Sequence, residues 1–193
     1  MLGSNEPSSV QVFITVLFGY TLTHSYKRYV DSFGLMGNER VLDYGSGSGR
    51  ISRHIAQRLL QDHGHLTCVD VSRVWMDTIR KRLQKYPNVD FQLGDIDALD
   101  LPDASYDVAV MHFVLHHIDS SVRQEKVDAL SRKLKAGGRL FVREPTRMEH
   151  GTPLDEIRQV LTAAGLHERE SKMERSLVMG RVYNGVFEKT VAS

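Results

Sequence analysis

The chain has 193 residues, with 25 Lys and Arg against 24 Asp and Glu and a formal charge of +1. That length builds one domain with a sizeable core and is short for two. The near balance of charge excludes an overall field that would draw the protein to nucleic acid or an anionic membrane.

Residues 10–20, VQVFITVLFGY, are apolar but well short of the roughly 20 residues a helix needs to cross a bilayer. No Lys or Arg precedes them and no small-x-small cleavage site follows, so they make a poor signal peptide. We expect residues 1–34 to form a cap segment packed on the domain, with a membrane-surface contact as the alternative. From residue 35 to 193 a single domain is expected. Short apolar runs predict strands at 40–44, 65–71, 89–93, 106–114 and 139–144. Between them Ile51, Ile55 and Leu59, then Ile79 and Leu83, then Val127, Leu130 and Leu134 recur at helical spacing, the last set stopping at Gly137 and Gly138. Cys68, the only cysteine, stands in one of these strands and reads as a small buried hydrophobe in a reducing, cytoplasmic setting.

Thr152 before Pro153 predicts an N-cap and first-turn pair for a helix running to Gly165. Two further strands follow at 167–173 and 177–187. Their short polar link, 174–176, permits only an antiparallel return. Strands alternating with helices predict an α/β fold: a doubly wound, mostly parallel seven-stranded sheet, helices on both faces, with one antiparallel strand near the C-terminus.

Residues 41–50, VLDYGSGSGR, join the first strand to the first helix of that pattern. Glycines at 45, 47 and 49 let the backbone approach a ligand, while the following helix presents free N–H groups. A dinucleotide site of the form G-x-G-x-x-G would place its third glycine at position 50, where this chain has Arg50. Asp43 at the strand end would repel a pyrophosphate and suits a ligand carrying an ammonium group. Asp70 closes the second strand about 20 residues past the glycines, where an acid accepts from ribose hydroxyls. Asp95 ends the third strand, within reach of an adenine amino group.

VLDYGSGSGR, LTCVDVS with Met76 beyond it, the long run from VDFQLGDIDALDLP to VMHFVLHHI, and LKAGGRLFV occur in this order. Together they resemble the class I S-adenosylmethionine-dependent methyltransferases, and most closely the small-molecule group that includes the ubiquinone and menaquinone biosynthesis enzymes. The resemblance covers roughly residues 35 to 190. It implies S-adenosylmethionine as cofactor, S-adenosylhomocysteine as product, and transfer of a methyl group by in-line displacement. Asp43 would hold the methionyl amino group, and Gly45, Ser46 and Gly47 would pass beneath the cofactor. Asp70 would bind the ribose, and Val71 and Met76 would flank the adenine. Asp95 would meet its amino group beside the Ile96 backbone, and Met111 would offer its carbonyl to the methionyl ammonium.

A general base is needed only where the acceptor must lose a proton, and His112, His116 and Glu144 are the candidates, with His117 beside them. His112 and His116 have the i, i+4 spacing of a zinc pair. Position 113 is Phe where a zinc peptidase has Glu, and the segment begins as a strand, so no metal is expected. MHFV after the fourth strand lacks the Asn/Asp-Pro-Pro-aromatic pattern of enzymes that methylate nucleic acid bases or glutamine. The basic run Arg80, Lys81, Arg82 and Lys85 reads as a solvated helix face, so nucleic acid is disfavoured and a small-molecule acceptor is expected. With only residues 145–152 between the fifth strand and the next helix, the acceptor pocket would draw on the N-terminal segment, where Tyr20, Tyr26 and Tyr29 could form a lid. Monomer and homodimer both stay open. The alternatives are a non-catalytic sensor that keeps the cofactor site, and a nicotinamide-dependent oxidoreductase, which Asp43 and the glycine spacing oppose.

Overall fold

A computed structural model of the chain describes Pro7 and residues 23–146, 151–176 and 179–190. The apolar segment 10–20 and Tyr20 therefore lie outside the described residues. The strands belong to a seven-stranded sheet, mostly parallel, with antiparallel pairing among its C-terminal strands and helices in between. The fold class thus forms as expected. The chain divides into two compact units, Met1–Asp95 and Ile96–Ser193.

The first unit runs α1 (Thr23–Asp31), β1 (Arg40–Tyr44), α2 (Ser52–Leu59), β2 (His65–Asp70), α3 (Arg73–Leu83) and β3 (Val89–Leu93). Its strands lie in the order β3-β2-β1, all parallel. Parallel neighbours need crossover helices, and α2 and α3 supply them. Val41, Leu42, Leu66, Cys68 and Val69 from the strands pack with Ile55, Leu59, Met76, Ile79 and Leu83 from those helices, all fully buried. Burying each large aliphatic side chain is worth about 1.5–3 kcal/mol. Cys68 pairs in register with Asp43. α3 begins at a conventional cap, with Ser72 Oγ accepting from the Trp75 N–H.

The second unit runs β4 (Tyr106–His112), α4 (Arg123–Lys133), β5 (Leu134–Pro145), α5 (Leu154–Ala163), β6 (Leu166–Ser176) and β7 (Gly180–Lys189), in the order β4-β5-β7-β6. β4 and β5 are parallel, and β7 runs antiparallel to both β5 and β6. β7 is thus the single reversed strand.

Four local expectations are corrected. α4 ends at Lys133, and Gly137 and Gly138 lie inside β5 beside a register shift at Tyr106; Lys189 Nζ, donating to the Ser131 and Leu134 carbonyls, takes up groups the helix end leaves over. β4 stops at His112, because Phe113 turns to φ 60° and a short 3-10 turn, Leu115–His117, follows. Residues 174–176 do not link the hairpin: they belong to β6, which runs to Ser176, and pair with β7. Thr152 does not cap α5: Pro153 holds the cap position without a side-chain hydrogen bond, and the Thr152 hydroxyl is buried without a partner.

Candidate functional site

Where β1 gives way to α2, the turn is built by backbone bonds to β2 and its end. Gly45 and Ser46 N–H both reach the Val69 carbonyl, at 2.8 and 3.0 Å, and the Gly47 N–H donates to Asp70 Oδ2 at 2.7 Å. Asp70 Oδ1 accepts from the Ser72 N–H at 2.9 Å. One carboxylate thereby ties the middle of the glycine turn to the start of α3. Gly45, Gly47 and Gly49 all have positive φ. At Gly49 a Cβ would also stand 2.6 Å from Ile79 Cγ1, so α3 packs directly against the turn. The helix α2 starts at Ser52, two residues past Arg50.

Asp43 is 1% exposed. Its Oδ2 accepts from Ser52 Oγ at 2.5 Å, while Oδ1 is buried with no hydrogen-bond partner. Burial pushes the carboxyl up to about 7, with the Ser52 bond pulling it down and the Asp70 charge adding a smaller push. A buried acceptor left over at a strand end is the complement of a cationic donor. The residues present therefore fit the ammonium of a methionyl group. Asp95 lies two residues beyond β3, half-buried, with Tyr44 Oη donating to its Oδ1 at 3.0 Å. Val71 is 50% exposed and Met76 wholly buried in the core, so of the adenine pair only Val71 presents surface.

Two partners in this set escaped the sequence: Ser52, which holds Asp43, and Tyr44, which holds Asp95. Neither carries a local signal, since Ser52 reads only as a first-turn helix residue and Tyr44 only as a strand end. Of the supposed lid residues, Tyr26 is buried with its hydroxyl accepting from Arg50, and Tyr29 packs edge-on against Phe33 at 4.8 Å. Both are fixed within α1's packing.

The second unit holds its own polar cluster. Glu144, near the end of β5, is fully buried. Its Oε1 accepts from the Val114 and Leu115 N–H groups, both at 2.6 Å, and its Oε2 meets His116 Nδ1 at 2.7 Å. Both oxygens are engaged, so Glu144 holds the turn after β4 and meets the His116 ring. With Nδ1–H given to the carboxylate, His116 keeps an Nε2 lone pair. His112, at the end of β4, meets the Phe113 ring in a tilted contact at 4.2 Å between centroids, and the His117 and His116 ring centroids lie 3.9 Å apart. Burial, then the His116 charge, lowers the His117 imidazole. Met111 lies inside β4, paired with Val142, and Ile96 is buried. Among the described residues no group of three or more His, Cys, Asp or Glu could hold a metal ion, and no helix is long and apolar enough to cross a membrane.

The ubiquinone/menaquinone biosynthesis C-methyltransferase of Vibrio campbellii is 29% identical over 147 residues, covering 74% of this chain and 54% of that protein. The chain spans about half the length of the curated relatives it matches. A TehB-like SAM-dependent methyltransferase from Corynebacterium glutamicum shares the fold with a TM-score of 0.74 at 17% identity, covering 95% of this chain and 100% of that one. The N-methyltransferase NodS from Bradyrhizobium japonicum, solved with S-adenosyl-L-homocysteine, superposes with a TM-score of 0.72 at 18% identity, over 96% and 89% of the two chains. A family model for a methyltransferase domain matches residues 41–138, half of the sequence and all of the glycine turn with its acids. By that match, the chain belongs to the methyltransferase-domain family.

Proposed function

We propose that the protein is an S-adenosylmethionine-dependent methyltransferase acting on a small-molecule acceptor. The unpartnered, buried Oδ1 of Asp43, in β1 one residue before its end and two before Gly45, is the observation that carries this reading. S-adenosylmethionine, when bound, supplies a methyl group already activated on a sulfonium. The chain's own residues have the remaining work. Asp43 takes the ammonium end, with Ser52 keeping its second oxygen occupied. Gly45, Ser46 and Gly47 give a turn without side-chain bulk, which Asp70 holds in shape while facing the ribose. Asp95, held by Tyr44, takes the adenine amino group with Val71 at the ring, and the family resemblance extends the set to Met76, Ile96 and Met111. For an acceptor that must lose a proton, His116 Nε2 receives it, and Glu144 keeps the imidazole in the tautomer that can do so. The match of one family model across both units supports a single functional domain over residues 35–193.

The kinship to quinone-biosynthesis C-methyltransferases makes a planar, lipophilic acceptor the first class to screen. Calorimetric titration with S-adenosylmethionine, S-adenosylhomocysteine and NADH, on the natural chain and on Asp70→Ala, tests the cofactor. We expect the first two to bind with Kd on the order of micromolar and to weaken at least about tenfold in the variant, the loss of a charge-assisted contact. NADH binding in their place would overturn the reading. Binding with no methyl transfer to any quinone precursor or other metabolite pool would instead favour a sensor.

A further inference from the structure

The first unit holds a second group of charged side chains that the proposed methyl transfer does not use. Thr23, Tyr26, Arg50, Arg53, His54 and Arg82 line a cavity of about 10 Å³. That is room for about one water-sized group. The lining carries three guanidinium groups and an imidazole but no carboxylate. Two of the guanidiniums have partners: Arg50 donates to Tyr26 Oη and Arg82 to the Ser48 carbonyl, both at 2.9 Å. At Arg53 the Nε–H is buried with no hydrogen-bond partner. A buried, unsatisfied donor on a cation is costly unless something accepts from it.

The field around the cavity agrees. Burial lowers the His54 imidazole first, and the charges of Arg53, Lys27 and Arg82 lower it further. Asp31 opposes them, and it is tied to Lys27 at 2.8 Å. At His54 the charges of Arg53, Lys27 and Arg82 thus oppose that of Asp31.

We propose that this cavity is an anion site, in which Arg53 Nε anchors one oxygen of a small oxyanion or of a terminal phosphoryl or carboxylate group. A space of that size suits a single oxygen, with the body of any larger ligand outside it. Arg82 lines the cavity while holding the Ser48 carbonyl, so occupancy would be felt in the glycine turn.

The test uses the full chain, with inorganic phosphate and acetate as probes and sodium chloride at matched ionic strength as the control. Thermal unfolding and the NMR titration of His54 are the readouts. Phosphate or acetate should raise the melting temperature saturably beyond chloride, and should move the His54 titration to higher pH as its cationic surroundings are offset. Affinity should fall about tenfold in Arg53→Ala, the loss of one charge-assisted bond, and stay unchanged in Lys85→Ala, from the exposed basic run. Arg53→Gln replaces Arg53→Ala if the latter fails to fold, and the His54 shift needs no variant. Whichever probe binds more tightly identifies the preferred group. An equal effect of chloride, undiminished binding in both Arg53 variants, or a stationary His54 would overturn the proposal. So would competitive displacement of S-adenosylmethionine by phosphate, which would assign the anion to the cofactor's own site and leave the methyltransferase reading intact.

Discussion

Asp43 shows how one buried carboxyl couples folding to ligand binding. In the folded chain its proton is held up to about pH 7, whereas the unfolded chain gives it up near 4. Its contribution to stability is therefore complete below the ordinary carboxylate range and is lost as pH rises through about 7. Asp43→Asn should accordingly unfold at higher denaturant than the natural chain at pH 8.5, by roughly 2–4 kcal/mol, and show no such gain near pH 4, since each tenfold change in proton affinity is worth about 1.4 kcal/mol. Binding runs the other way. A ligand ammonium favours the ionised acid, so S-adenosylmethionine should bind more tightly as pH rises from 6 to 8, and the Asn variant should lose that slope along with affinity. A calorimetric series over that range decides it; a natural chain with no slope would mean that Asp43 does not meet the ammonium.

At the level of elements, the joints matter more than the strands. Gly49 combines φ +71° with a would-be Cβ contact of 2.6 Å to Ile79 on α3. Gly49→Ala should therefore cost about 2–4 kcal/mol in urea unfolding. Combined with Ile79→Ala it should cost less than the two separate losses added together, by about 1 kcal/mol, because the crowded contact is gone. The turn after β4 depends on Glu144 in a different way. Glu144→Leu strands the Val114 and Leu115 N–H groups and should destabilise by about 3 kcal/mol, while Glu144→Gln can keep Oε1 as an acceptor and should fold nearly normally. In His116→Asn, methyl transfer to a proton-losing acceptor should fall about 10²-fold with cofactor affinity unchanged; an unaltered kcat would remove His116 from the chemistry. The joints were also the least legible part of the sequence. The acids at the strand ends and the glycines stand in local patterns, and they were read correctly as a turn flanked by carboxylates. The partners of Asp43 and Glu144 come from other elements, and no local pattern announces such long-range bonds. The β6–β7 link was misplaced because β6, LHERESKMERS, is mostly polar and largely exposed, so apolar alternation does not mark where it ends. Likewise Gly137 and Gly138 suggested a helix stop, whereas the register shift between β4 and β5 accommodates them inside a strand.

For the whole molecule, the α/β class was legible because buried parallel strands are apolar runs at helix-length intervals, while the division into two contact-dense units was not, since no linker composition marks residue 95. If the two units fold as one cooperative body, S-adenosylmethionine at about 100 times its Kd adds about 2.7 kcal/mol to the folded state. A scanning calorimeter should then show one transition, raised by about 5–10 °C. Two transitions, only one of them moved by the ligand, would show that the units unfold separately. Cys68 offers a way to watch this without any substitution. It is the sole sulfhydryl of the chain, wholly enclosed in β2, and both burial and the neighbouring acids suppress its thiolate. An alkylating reagent can therefore label the protein only while the strand beside Asp43 is open. The labelling rate becomes an internal clock for breathing of the first unit, and a bound ligand should slow it.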